Sequence, residues 1–99
     1  MYILIKENTP QGHAANCAAH AAVKCFNKYK NDPEVQEWVE GEGYFKVTCK
    51  VTPEQFEQFK KTDHNFIISE DRLDDREIAI AFKPRPKYPP EFKGLPLWS

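Results

Sequence analysis

From His13 to Lys30 the chain runs without a Gly or a Pro and carries six alanines. No other stretch restricts the fold as strongly. Alanine is the best helix former, so this segment predicts a single helix of about five turns. Around it lie short segments of a different period. Tyr2 to Lys6 is an apolar run closed by the turn-forming Asn8-Thr9-Pro10-Gln11-Gly12, which reads as a buried strand. Tyr44 to Val51 alternates, with Phe45, Val47, Cys49 and Val51 expected on a buried face and Tyr44, Lys46, Thr48 and Lys50 on a wet one.

Two further helices announce their own starts. Asp32 before Pro33 is an N-cap with proline in the first turn, opening a helix through Glu40 that stops at Gly41 and Gly43. Thr52-Pro53-Glu54-Gln55 is a capping box, opening a helix to about Lys61. Phe66 to Ser69 and Glu77 to Lys83 read as strands joined by the charged loop Glu70 to Arg76, and Ile78, Ile80 and Phe82 alternate with Ala79 and Ala81. Five prolines between Pro84 and Ser99 predict an extended arm, because proline donates no ladder bond. The expected organisation is one α/β domain over residues 1–83 and an arm over 84–99. Helices alternating with strands suggest a mostly parallel sheet covered on both sides.

Composition narrows the class. Ninety-nine residues suit one core, and 40% hydrophobic with 29% charged residues fits neither a disordered tail nor a membrane protein. The N-terminus lacks the pattern of a secretory signal, so a cytoplasmic location is expected. A net charge of −1 gives no molecule-wide attraction for a polyanion, so any nucleic-acid contact must be local. Three cysteines without Cys-x-x-Cys spacing imply reduced thiols.

Helical geometry places Ala15, Ala18, Ala19, Ala22, Cys25, Phe26 and Tyr29 on a stripe expected to face the sheet. His13, Asn16, Cys17, His20, Lys24 and Asn27 fall opposite. The first four are not the Glu and Lys of an ordinary solvated face. His13, Cys17 and His20 stand at i, i+4 and i+7 and share one side. Three chemistries fit this set. An imidazole can serve as general base, the Cys17 thiol as nucleophile, or all three side chains can ligate zinc with Asp71 or His64 as a fourth group. The plain alternative is a polar face that bonds only its neighbours. Gly12 is expected to allow an unusual backbone angle and leave helix-start amides open to an anion.

The string Gly12-His13-Ala14-Ala15-Asn16-Cys17-Ala18-Ala19-His20-Ala21-Ala22-Val23 resembles the first-helix signature of the type-2 peptidyl-tRNA hydrolases, Gly-Lys-x-Ala-Ala-Gln-x-x-His-Ala-Ala-Val. Phe45 to Val51 is similar to that family's second strand, and Phe66 to Ser69 to the strand before its acidic loop. The resemblance spans roughly residues 2 to 83. It implies a three-layer α/β/α sandwich around a four-stranded mixed sheet and hydrolysis of the ester joining a peptide to the 3′ end of tRNA. The family lysine is His13 here, its glutamine is Cys17, one of its alanines is Asn16, and His20 is retained. Its Asp-Ala-Gly and Thr-Gln segments correspond to the region of Glu70-Asp71-Arg72-Leu73-Asp74-Asp75-Arg76.

Carried onto this chain, the resemblance implies His13 or His20 as base and Glu70 or Asp71 as its carboxylate partner. Cys17 completes the candidate catalytic set, and Gly12, Asn16 and Lys24 are the candidate substrate-binding residues. An imidazole in place of an ammonium implies weaker anion binding or a less charged substrate. The expected partner is a tRNA 3′ end or another acyl ester; a homodimer is allowed, and no membrane, metal or other cofactor is expected. The alternative function is a redirected binding module for a small ligand, a nucleic acid or a protein. Cys25 and Cys49 are expected in the core. Lys83, Arg85, Lys87 and Lys93, interleaved with Tyr88, Phe92 and Trp98, could clamp a single-stranded nucleic acid. Otherwise Phe92, Leu95, Leu97 and Trp98 fold the arm onto the body.

Overall fold

A computed structural model describes residues 1–41, 45–70 and 73–98. Its elements follow in the order β1 (Tyr2–Lys6), α1 (Gln11–Tyr29), α2 (Pro33–Glu40), β2 (Val47–Val51), α3 (Pro53–Phe59), β3 (Asn65–Glu70) and β4 (Arg76–Phe82). The four strands form one mixed sheet in the order β2-β1-β4-β3. β1 and β2 are parallel, with Leu4 beside Cys49, whereas β4 runs antiparallel to both β1 and β3. The expected mostly parallel sheet is therefore corrected, since one of its three neighbouring pairs is parallel. The connection from Glu70 to Arg76 is too short for a crossover, so β4 returns beside β3 and separates it from β1.

Strand alternation sends side chains to two clusters. Ile3, Ile5, Ala79 and Ala81 pack with Ala14, Cys17, Ala21 and Cys25 of α1. Leu4, Cys49, Val51, Ile80 and Phe82 pack with Phe56 and Phe59 of α3. Ile78 departs from the expected alternation and joins the α1 side, opposite a register shift between Ile68 and Ser69. Local caps set the starts of α2 and α3, and at α3 the Thr52 hydroxyl and Gln55 amide complete their reciprocal box. Phe45, expected on the buried face of the second strand, precedes β2 and is 74% exposed. Tyr44 and Gly43 lie outside the described residues.

The proline-rich arm has a definite path. Tyr88, Phe92 and Leu95 pack on the α3 side, and Trp98 packs on the α1 side. Between them, Lys50 N–H donates to Pro96 O at 2.9 Å and Trp98 N–H donates to Thr48 O at 2.9 Å. The arm thus crosses the outer edge of β2 and occupies backbone groups that would otherwise template a further strand. Leu97, named with Phe92, Leu95 and Trp98 as folding the arm onto the body, bridges Cys49 through its backbone and is itself 66% exposed.

Lys83 is drawn out of the expected basic cluster on the arm. Its buried ammonium lies 2.9 Å from Asp32 Oδ2 and 3.1 Å from Glu34 Oε1. The other Asp32 oxygen accepts from Glu34 N–H at 2.9 Å and caps α2. The Lys83 hydrogen bond, followed by the Glu34 amide, holds the Asp32 carboxyl below the usual carboxylate range, and the Asp32 hydrogen bond raises Lys83. A depressed carboxyl contributes stability above its unfolded pKa of about 4 and loses it as pH falls through the folded value. Asp32→Asn should therefore lower stability at neutral pH, with the deficit shrinking steadily below about pH 4. Urea unfolding across pH checks this, and a pH-independent deficit would contradict the pairing.

Candidate active site

The carboxyl ends of β1 and β3 point the same way, because each is antiparallel to β4. α1 begins at the end of the sheet where β3 finishes with Glu70. A short turn makes the connection: Asn8 takes a left-handed φ of 70°, and Thr9 Oγ1 donates to Lys6 O at 2.7 Å. The strained residue is Asn8 rather than Gly12, which lies within the first turn of α1. A Cβ at Gly12 would meet nothing within 4 Å, so that position leaves open space beside the helix start.

The face of α1 on the sheet differs from the expected stripe. Ala14, Cys17, Ala21 and Cys25 are buried, while Ala15 and Ala19 are exposed. Cysteine behaves as a small hydrophobe, and counting Cys17 as polar rotated the predicted face. His13 is consequently at the margin of the buried stripe, while Asn16 and His20 are exposed.

Between α1 and the end of β3 opens a cleft of about 600 Å³, lined by His13, Asn16, Cys17, His20, Ile68, Ser69, Glu70 and Asp75. His13 Nδ1 is 3.7 Å from Glu70 Oε2, an ion-pair distance that a small side-chain rotation would close to a hydrogen bond. Cys17 Sγ lies 4.0 Å from the same oxygen. Of the expected substrate-binding residues, Asn16 lines the cleft, whereas Lys24 is exposed and does not. Asp71 lies outside the described residues. Ser69 and Asp75 join the cleft unanticipated. Asp74 and Asp75 both have left-handed backbones, with φ of 57° and 56°; aspartate tolerates that region better than most residues, and the paired acids were the available sequence signal.

Among the described residues the lining combines two imidazoles, an amide, a hydroxyl, a thiol and two carboxylates. Imidazoles beside carboxylates are suited to proton transfer. Burial first, and then the charge of Glu70, push the Cys17 thiol up, so it remains protonated at neutral pH and is a weak nucleophile. Burial also raises Cys49 and pushes Cys25 up to about 12. All three thiols are buried. Native protein should react with a disulfide reagent such as DTNB far more slowly than urea-unfolded protein, and a rapidly reacting native thiol would contradict this placement. Among the described residues, no group of three or more His, Cys, Asp or Glu converges as a metal site; His64 instead contacts the Tyr29 ring edge-on. No helix among them is long and apolar enough to cross a membrane. No protein-family model matches the chain, and no curated protein matches it in sequence.

Proposed function

We propose that this chain is a divergent member of the type-2 peptidyl-tRNA hydrolase superfamily, with that family's three-layer sandwich, and that its cleft hydrolyses the ester joining a peptidyl or acyl group to a tRNA 3′ end in the cytoplasm. The observation that carries the reading is His13 facing Glu70 inside a cleft that also holds Asn16 and His20. The α1 string Gly12 to Val23 and the mixed four-stranded sheet support the family assignment.

In this mechanism Glu70 orients His13 through Nδ1, leaving Nε2 to take a proton from water. The resulting hydroxide attacks the ester carbonyl carbon. Asn16 and the first amides of α1 donate to the oxyanion of the tetrahedral intermediate. Collapse breaks the bond to the ribose oxygen, and the imidazolium returns its proton to that leaving group. The products are a free carboxylate and a 3′-terminal hydroxyl. The cleft takes the acyl end of the substrate, where the reacting carbonyl meets His13 and Asn16.

The test is release of labelled peptide from N-acetyl-aminoacyl-tRNA by the purified protein over many turnovers. Turnover that falls with His13→Ala supports the reading. Specific binding without turnover would replace it with the redirected binding module.

A further inference from the structure

At the opposite end of the sheet, where β1 and β2 begin, lies a second cleft of about 650 Å³ between the arm and residues near Phe45. Its floor is aromatic. Tyr2, Tyr88 and Phe92 contact one another with ring centroids 4.8 to 5.1 Å apart. Phe45 stands at the cleft 74% exposed. Arg85, Lys87 and Lys93 also line it, all exposed, and no carboxylate of the described residues does. In a chain whose net charge is −1, this places three cations beside the exposed Phe45 ring.

We infer that this arm cleft binds single-stranded nucleic acid, with Arg85, Lys87 and Lys93 on successive phosphates and a base stacked on Phe45. Aromatic faces accept any base, while cations track the backbone, which is the combination that holds an unpaired strand without reading its sequence. A duplex keeps its bases stacked internally and gains only the charge contacts. An apolar protein segment would use the aromatics but gain nothing from the cations. Lys83 and Trp98, plausible members of such a clamp by sequence, are excluded: one is paired with Asp32 and Glu34, and the other packs on the α1 side.

The experiment is fluorescence anisotropy of a fluorescein-labelled single-stranded RNA of about twelve nucleotides, with the same sequence as DNA and as duplex RNA. Three phosphate contacts on a single strand give a salt slope of about −2, so raising salt from about 50 to about 200 mM should weaken binding about 20-fold. The exposed-site variant R85Q/K87Q/K93Q should lose at least about 10-fold in affinity together with most of that salt dependence. Phe45→Ala should lose about 10-fold, and the duplex should bind weaker than the single strand by a similar factor. H13A/E70Q should bind like wild type, which separates this cleft from the ester site whether or not that site turns over. Absence of binding, duplex binding as tight as single-strand binding, or affinity untouched by the glutamine and Phe45 variants in protein with an unchanged melting curve would each overturn the assignment.

Discussion

His13→Ala is expected to lower kcat for peptide release from peptidyl-tRNA by about 10² to 10⁴-fold, the usual contribution of a positioned general base. KM should change little, because the imidazole acts on water and the reacting carbonyl more than on the bound body of the substrate. His13 lies at the margin of the buried stripe rather than inside it, so truncation removes little packing and the loss can be read as chemistry. Glu70→Gln should cost part of the same factor by removing the charge that stabilises the imidazolium. Initial rates with labelled N-acetyl-aminoacyl-tRNA measure both. A His13→Ala loss below about 10-fold would remove that residue from the base role.

The largest stability effect is expected at Phe92. Its ring is 2% exposed and meets Phe82 at 4.8 Å, Phe59 at 4.9 Å, Tyr2 at 5.0 Å and Tyr88 at 5.1 Å between centroids. It therefore joins the arm to α3 and to the central strands. Phe92→Ala should cost about 3 to 5 kcal/mol, through lost apolar burial and a cavity that rigid neighbouring rings cannot fill. In a domain of this size that is a drop in Tm of more than about 12 °C. Phe45→Ala, at a site 74% exposed, should stay within about 0.5 kcal/mol. Urea unfolding of both variants distinguishes an arm that completes the core from one merely draped over it. A Phe92→Ala cost below about 1 kcal/mol would contradict the former.

Local rules made most of the elements legible. The alanine-rich run, the Asp32-Pro33 start and the Thr52 capping box each depend on residues within one or two turns, and all three helices follow them. What depends on remote partners was harder to see. Cys17 reads as polar in a helical projection but is a core residue, buried in the cluster that α1 forms with the sheet. The antiparallel place of β4 follows from a short connection, not from its own alternation. Phe45 belongs by periodicity to the buried face of its segment, but pairing with β1 begins only at Val47.

The candidate site divides in the same way. His13, Asn16, Cys17 and His20 share one side of α1 by arithmetic, and Glu70 meets them because β3 ends beside the start of that helix. Ser69 follows a register shift that strand period does not encode, and Asp75 belongs to a left-handed pair for which the adjacent aspartates are the one local signal. The path of the arm around β2 was equally hidden: proline content predicted extension, but crossing from one face of the sheet to the other requires knowing which strand is at the edge.

The most direct test of the account is a double-mutant cycle between His13 and Glu70, read as kcat/KM for peptide release. If the two act as one unit, H13A/E70Q should be no slower than H13A alone, because the carboxylate has nothing left to orient. Losses that multiply, or wild-type protein that releases no peptide, would contradict it.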